Sequence, residues 1–262
     1  MRMGARTGVS SAAFAMGYES ASQFSRETPE NSANRPAWIY RWRDSIGRQT
    51  FCTGSKDRGG KMNKVVIDMS MSLDGFVAGP DDGKAHPLGL HGGEHVFDWY
   101  TSGNEPYESE LFRPEAGPNR QEVERMFAES GAFIFGRRTY EITNGWGGRH
   151  PVRGAPTFVL THKAPKEFPR GPSNLTFVTD GIESAIAKAR AVAGGRDIKL
   201  GGASPGKQAL ASGLCDEILI HLAPYLLGGG VRLFDALPVG IKLQKLSVTD
   251  GPFATHLRYR VS

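Results

Sequence analysis

The sequence predicts an α/β fold: a mostly parallel mixed sheet with helices on both faces and an antiparallel hairpin at the C-terminal end. From Met62 onward, short apolar segments that suit buried strands alternate with segments of helical spacing. This alternation is typical of a parallel sheet covered by helices. Residues 242–249 and 254–261 instead alternate between apolar and polar side chains and are joined by Asp250-Gly251. Such a pair predicts an antiparallel hairpin that closes the sheet.

The elements of this fold are predicted in a definite order. Strands are expected at 65–72, 132–135, 157–160, 175–178, 198–200 and 217–222, and helices at 120–130, 137–143, 183–192 and 207–213. The first helix places Val123, Met126 and Phe127 on one face, as helical spacing requires. Residues 78–118 are rich in glycine, histidine and acidic side chains. We expect them to form a long loop with a short helical piece.

The net charge of +5 divides the 262-residue chain into two parts. Residues 1–61 contain ten basic and five acidic side chains, whereas residues 62–262 contain 22 of each. The larger part therefore has no overall charge bias toward nucleic acid. The chain has no run of about 18 apolar residues, which a membrane span would need. Cys52 and Cys215 lie too far apart in sequence to indicate a disulfide framework or a metal site. We expect a cytoplasmic protein with free thiols.

Residues 1–61 show regular periodicity in one stretch only. Residues 11–26 contain a short helical segment, a turn at Gly17 and a second helix start near Ser20, which is the order of a helix-turn-helix. Residues 1–27 thus resemble a truncated form of the second helix-turn-helix of AraC-type transcription regulators. We expect residues 1–61 to be a disordered or vestigial leader and residues 62–262 to be the folded domain. A DNA-binding regulator with a ligand-sensing domain is the alternative.

A glycine-rich loop follows the strand predicted at 198–200. It reads Gly201-Gly202-Ala203-Ser204 and leads into a helix. Adjacent glycines allow close approach of a ligand, and a helix start favours a phosphate group. A P-loop is one interpretation, but Gln208 stands where its Mg²⁺-binding hydroxyl would be. A nucleophile elbow around Ser204 is another, with Asp250 and His256 following in the expected order.

The third interpretation is a dinucleotide site. Gly136-Arg137-Arg138-Thr139 follows a buried strand and opens a helix, and Thr161-His162-Lys163 follows the next strand. Ligands of open α/β sheets bind at the carboxyl ends of the strands, where these segments and the glycine loop would meet. Arginine and lysine at two of these strand ends suggest a 2′-phosphate, and therefore NADPH over NADH.

Several motifs together resemble the dihydrofolate reductase superfamily, and within it the reductase domain of the bifunctional riboflavin-biosynthesis deaminase-reductase. They are Ser72-Leu73-Asp74-Gly75, Gly136-Arg137-Arg138-Thr139-Tyr140, Leu200-Gly201-Gly202-Ala203 and Ala223-Pro224-Tyr225-Leu226-Leu227-Gly228-Gly229-Gly230. The resemblance covers residues 62–262 and implies a three-layer fold. It also implies an NADPH-dependent reductase of a pyrimidine, pterin-like or other heteroaromatic substrate, such as 5-amino-6-(5-phosphoribosylamino)uracil. The helix-start and glycine-loop residues would hold the cofactor.

The resemblance leaves the catalytic residue and the substrate open. Asp74 would face the nicotinamide and the substrate, although an Asp-Gly turn at a strand end is an equally good explanation. The folate-binding acid of dihydrofolate reductases has no clear match, although the first long helix offers Glu122, Glu124 and Glu129. His91 and His95 have a spacing that could bind a metal on a helix, but glycines separate them and we expect no metal. The expected partners are a small-molecule substrate and, in a homodimer, a second copy of the chain.

Overall fold

The computed structural model describes residues 63–237 and 240–262. The leader expected at residues 1–61, its helix-turn-helix resemblance, Cys52 and the boundary at Met62 lie outside the described residues. The fold begins at once with β1, whose first residue is Val65.

Residues 63–237 and 240–262 form ten strands in two sheets. They are β1 (Val65–Ser72), β2 (Phe76–Ala78), β3 (Ser130–Gly136), β4 (Thr157–Leu160), β5 (Thr176–Val178), β6 (Asp197–Gly201), β7 (Glu217–Ala223), β8 (Val231–Arg232), β9 (Leu243–Gly251) and β10 (Ala254–Val261). The main sheet has eight strands in the order β5-β4-β3-β6-β1-β7-β10-β9, and β2 and β8 form a separate pair. β1 pairs in parallel with β6 and β7, and β10 runs antiparallel to β7 and β9. The predicted fold class is confirmed.

In the described part of the chain, five α-helices connect these strands. They are α1 (Asp98–Thr101), α2 (Pro118–Glu129), α3 (Arg137–Thr143), α4 (Ile182–Val192) and α5 (Ala203–Ala211), with short 3-10 helices at Gly93–Phe97 and Asn144–Gly148. α5 begins four residues earlier than predicted, directly after the glycine pair. Pro205 lies within its first turn, where a missing N–H removes no helical hydrogen bond.

The turn of the C-terminal hairpin differs from the prediction. Asp250 pairs with Thr255 and Gly251 pairs with Ala254, so Asp250-Gly251 belongs to β9. The turn itself is Pro252-Phe253. Proline has no N–H to donate to a strand ladder, which explains why pairing stops there.

The two faces of the main sheet differ in chemistry. One face lies under α4 and α5 and is apolar, with Ile67, Ile134 and Ile198 in its core. The opposite face carries an aromatic cluster that includes Trp99, Phe127, Phe133 and Phe135 and packs near α2. Successive side chains of a strand point to opposite faces, so Asp68 on β1 lies on the second face, beside Ile67 on the first.

The edges of the main sheet are unequal. β5 forms one edge and has three residues, whereas β9 forms the other and has nine. Residues 243–248 of β9 are all exposed. Within the described ranges, no helix is both long enough and apolar enough to cross a membrane.

Candidate active site

A cavity of about 1260 Å³ lies where several parallel strands end. Its walls include residues at the carboxyl ends of β3, β4 and β6, together with the middle of β1 and β7. Pockets for single small molecules usually measure about 300–1,000 Å³. The cavity is therefore large enough for a cofactor and a substrate together, at the position where open α/β sheets bind ligands.

The structure brings together all the residues predicted to hold a cofactor. Gly136, Arg137, Arg138, Thr139, Thr161, Lys163, Gly201, Gly202, Ala203 and Ser204 all line the cavity. They come from three separate strand ends, which are neighbours because β4, β3 and β6 are adjacent in the sheet. Their proposed contact with a cofactor stays a prediction.

The two glycines of the loop meet different requirements. Gly202 precedes α5 with φ +92° and ψ 154°, a conformation that side chains other than glycine rarely adopt. A Cβ at Gly202 would stand 3.2 Å from the Thr139 hydroxyl, and the Gly202 N–H donates to Met69 Sδ at 2.9 Å. A Cβ at Gly201 would overlap the Phe135 ring. Gly202 is therefore required by the backbone conformation at the start of α5, whereas Gly201 is required because the Phe135 ring leaves no room for a side chain.

The two arginines of α3 already have protein partners. Arg137 forms an ion pair with Glu141 at 2.6 Å and donates to the Lys163 carbonyl at 2.8 Å. The latter bond joins the strand ends of β3 and β4. Arg138 forms an ion pair with Asp82 through two of its nitrogens, at 2.6 and 2.7 Å. A ligand phosphate would have to compete with Asp82 for Arg138.

Asp74 lies apart from the cavity and is not among its lining residues. Its carboxylate accepts hydrogen bonds from Ser72 Oγ at 2.6 Å and from the N–H groups of Leu227 and Gly228 at 3.1 and 2.7 Å. Burial would raise the pKa of Asp74, but these hydrogen bonds hold it below its usual value. The geometry supports the Asp-Gly turn rather than a catalytic role for Asp74.

Sequence reasoning missed a row of buried ionisable side chains on the second face of the sheet. Lys199, Asp68, His221 and His256 come from β6, β1, β7 and β10, which are neighbours in that order. Lys199 Nζ lies 3.3 Å from Asp68 Oδ2, and His221 Nε2 lies 3.0 Å from Asp68 Oδ1. Burial alone would raise the pKa of Asp68, but the Lys199 ammonium and His221 hold it well below its usual range.

The row continues to α2. His221 Nδ1 lies 2.7 Å from His256 Nδ1, and His256 Nε2 lies 3.1 Å from Asn119 Oδ1. We call Asp68, His221, His256 and Asn119 the buried histidine network. Asp68 and His221 also line the cavity. These side chains are visible in the sequence of their strands, but the sheet order was needed to connect them.

Aromatic side chains line the cavity on the same face of the sheet. Phe133 stacks on His150 with a ring separation of 4.0 Å, and Trp146 lies against Phe135. His150 Nδ1 accepts the Val152 N–H at 3.2 Å. Burial lowers the pKa of His150 to about 3, so the ring is neutral and carries its proton on Nε2. Together these side chains suit a planar ligand with a hydrogen-bond acceptor.

The loop before α2 also contributes to this wall. Phe97, Trp99 and Tyr100 all line the cavity. Trp99 stacks on His221 with a ring separation of 4.0 Å and donates from Nε1 to Ser70 Oγ at 2.8 Å. Burial raises the pKa of Tyr100. These contacts fix Trp99 as part of the cavity floor.

The candidate glutamates of α2 and His95 form ion pairs or contacts with other side chains of the protein. Glu122 pairs with Arg125, Glu124 with Arg120, and Glu129 with Arg258. His95 contacts Asp98 at 3.0 Å. Among residues 63–237 and 240–262, no group of three or more histidine, cysteine, aspartate or glutamate side chains is arranged to hold a metal.

The serine-hydrolase interpretation fails on geometry. The Ser204 hydroxyl accepts from Gln208 at 3.0 Å. The would-be base, His256, is buried between His221 and Asn119, and the would-be acid, Asp250, contacts Thr255. The three side chains of the supposed triad are thus engaged with other partners.

The fold is that of an α/β protein of the dihydrofolate-reductase-like class, with a cavity at the strand ends. The model of the RibD C-terminal domain family matches residues 63–253. The chain belongs to this family.

A solved structure shares this fold. A protein assigned to riboflavin biosynthesis from Shewanella sp. PV-4 is 24% identical over 77% of this chain and 99% of its own, with a TM-score of 0.54. A diaminohydroxyphosphoribosylaminopyrimidine deaminase/5-amino-6-(5-phosphoribosylamino)uracil reductase from Thermotoga maritima is 14% identical over 77% of this chain, with a TM-score of 0.49. The match covers 57% of that bifunctional chain. A search of curated protein sequences found no match.

Proposed function

We propose that this protein is an NADPH-dependent reductase that transfers hydride to a pyrimidine substrate of the 5-amino-6-(5-phosphoribosylamino)uracil type. Membership of the RibD C-terminal domain family supports this reaction class. One structural observation carries the proposal: Arg137, Lys163 and Gly202, from three adjacent strand ends, line one cavity. That arrangement offers positive charge and an open backbone to a phosphorylated ligand.

The cofactor would occupy the strand-end half of the cavity. The positive φ of Gly202 leaves the start of α5 open to a diphosphate, because the first N–H groups of a helix have no partner within it. Lys163 is exposed, and its ammonium has no ion-pair partner in the part of the chain that the structure describes. We assign the 2′-phosphate to Lys163 and the neighbouring arginines. When bound, the reduced nicotinamide supplies the hydride.

The substrate would occupy the aromatic half. Its ring would lie against Trp99, Phe133 and Trp146, which have the flat surfaces that a pyrimidine needs for stacking. The His150 Nε2–H is available as a donor, since Nδ1 already accepts the Val152 N–H. A ring carbonyl is the matching acceptor. Asp68 adds a carboxylate to the same cavity wall.

A cofactor titration tests this proposal. We expect NADPH to bind at least about tenfold more tightly than NADH at moderate salt, because a hydrogen bond to a charged group is worth about 1.5–3 kcal/mol. Fluorescence quenching of the tryptophans in the cavity wall provides the readout. NADPH oxidation with 5-amino-6-(5-phosphoribosylamino)uracil tests the substrate. Equal dissociation constants for the two cofactors would contradict the assignment of a 2′-phosphate site.

A further inference from the structure

The buried histidine network has one consistent arrangement of protons. Asn119 fixes its starting point, because its Nδ2 donates to the Pro252 carbonyl at 2.7 Å. This bond sets the orientation of the amide, so the atom that faces His256 Nε2 at 3.1 Å is the oxygen Oδ1. An amide oxygen only accepts. His256 must therefore carry a proton on Nε2.

The position of the proton on His256 determines whether His221 Nδ1 carries a proton. Burial lowers the pKa of His256 to about 3, so His256 is neutral and has one N–H. That N–H points to Asn119, which leaves His256 Nδ1 as an acceptor. The contact of 2.7 Å between the two Nδ1 atoms then requires His221 Nδ1 to donate.

His221 also donates on its other side. Its Nε2 lies 3.0 Å from Asp68 Oδ1, and the Lys199 ammonium at 3.3 Å from Oδ2 keeps Asp68 a carboxylate. A carboxylate accepts, so Nε2 is the donor. With both ring nitrogens donating, His221 is an imidazolium. The face of Trp99 stacked on it at 4.0 Å favours a cation.

The surrounding charges are compatible with this state. Asp68 provides the negative charge next to His221, and Glu129 lies 3.8 Å from Lys199 on the other side of the row. Arg125 of α2 acts on His256 and disfavours a second cation there. The positive charge in the network is thus confined to His221, which lines the cavity together with Asp68.

We propose that the imidazolium of His221, acting through Asp68, is the proton donor of the reduction. The inference rests on the proposed function. Reduction of a C=N bond adds a hydride to the carbon and a proton to the nitrogen. The cofactor supplies the hydride; the proton moves first from His221 Nε2 to Asp68 Oδ1, and Asp68 then gives this same proton to the substrate nitrogen. His221 ends neutral with its remaining proton on Nδ1, and Asp68 ends as a carboxylate. His256 and Asn119 are positioning residues that hold this tautomer.

Nitrogen-15 NMR of the histidine side chains in the full chain tests the proton arrangement directly. His221 is assigned through its contacts with Trp99. We expect both His221 nitrogens to be protonated at pH 7 without any ligand, and His256 to be protonated on Nε2 alone. A single protonated nitrogen on His221 would overturn the inference.

The Asn119→Leu and Asn119→Asp variants test the positioning role. Leucine removes the acceptor for His256 Nε2, so His256 can turn its proton toward His221, and we expect His221 to become neutral at pH 7. Aspartate keeps an acceptor but loses the donor to Pro252 and adds a negative charge beside His256, so we expect the second proton to move from His221 to His256. If His221 stays doubly protonated in a folded Asn119→Leu protein, Asn119 does not hold the tautomer and that part of the inference is wrong.

The Asp68→Asn variant links the network to the reaction. We expect NADPH affinity within twofold of the unmodified protein and a fall of at least about 100-fold in NADPH oxidation with the pyrimidine substrate, since general acid catalysis contributes about 10²–10⁴-fold. Unchanged turnover in this variant would overturn the inference while leaving the proposed function intact. Loss of NADPH binding in the unmodified protein would instead overturn the proposed function.

Discussion

Asp82 and Arg138 form a bidentate ion pair that joins the loop after β2 to the first turn of α3. Both residues line the cavity. The Asp82 carboxylate therefore occupies Arg138, one of the side chains proposed to bind the cofactor phosphate. A phosphate can reach Arg138 only by displacing Asp82.

The first prediction concerns this competition. Replacing Asp82 by asparagine should raise NADPH affinity by roughly threefold to fivefold, because an ion pair with an exposed partner contributes up to about 1 kcal/mol. Arg138 is 61% exposed in its side chain, which limits the effect. NADH affinity should change less. Asp81→Asn provides the neighbouring control, and equal effects of the two variants would show that overall charge, not the ion pair, is responsible.

Lys163 is predicted to select the phosphorylated cofactor. Lys163→Ala should weaken NADPH binding by roughly tenfold, the loss expected for one charge-assisted hydrogen bond of about 1.5 kcal/mol, and should leave NADH binding nearly unchanged. The matched control is Lys166→Ala, which removes an exposed lysine of the same segment that does not line the cavity. A similar loss for both variants, or for both cofactors, would contradict the prediction.

Gly202 is predicted to tolerate no side chain. Gly202→Ala places a Cβ on backbone with φ +92° and 3.2 Å from the Thr139 hydroxyl, which should lower the free energy of unfolding by about 1–3 kcal/mol. Urea denaturation measures the change. Gly229→Ala is the control, because its Cβ would meet only Pro80 at an ordinary 3.5 Å. An equally stable Gly202→Ala protein would show that the loop relaxes without cost.

Asp74 is predicted to act through folding rather than chemistry. Asp74→Ala removes the acceptor for the Leu227 and Gly228 N–H groups, so the free energy of unfolding should fall by about 1–2 kcal/mol. NADPH affinity should stay within twofold, since Asp74 does not line the cavity. Loss of turnover in a folded Asp74→Ala protein, with binding intact, would restore the catalytic interpretation.

His150 should make the protein less stable in acid. The pKa of His150 is lowered to about 3 by burial, below the 6.5 of an ordinary histidine. The unfolded chain therefore binds a proton between about pH 6.5 and 3 that the folded chain does not. The contribution of His150 to the free energy of unfolding is therefore greatest above pH 6.5. It falls by up to about 1.4 kcal/mol for each pH unit below 6.5. His150→Asn keeps an acceptor for Val152 and should make the fall between pH 7 and 5 less steep. An unchanged slope in urea titrations would exclude His150 as the cause.

Much of the strand-end half of the site could be predicted because its signals are local. Gly202 and Arg137 each follow a strand directly and Lys163 is the third residue after one, and the ends of neighbouring parallel strands meet at one edge of a sheet. The start of α5 was predicted four residues too late, although proline is tolerated in a first turn. The need for glycine at position 201 was also misread, since Phe135, 66 residues earlier in the chain, imposes it.

The buried histidine network could not be predicted in the same way. Asp68, His221 and His256 lie in three different strands, and no residue near them in the sequence indicates which side chains they contact. Their contact depends on β1, β7 and β10 being adjacent, which is a property of the whole fold. Asn119 enters only because α2 crosses the same face. Long-range pairing of this kind leaves no periodic pattern in one sequence.

The unequal edges of the main sheet bear on solubility. An open edge can recruit a strand from another molecule and begin aggregation. At the β5 edge the risk is small, because three residues offer too few unpaired groups to template a partner. The nine-residue β9 edge is protected differently: Lys245 stands among its exposed residues, and an incoming strand would have to desolvate that ammonium. Removing the charge of Lys245 would leave the exposed side chains of Leu246 and Val248 on an edge open to pairing with another molecule. The protein would then precipitate in concentrated solution.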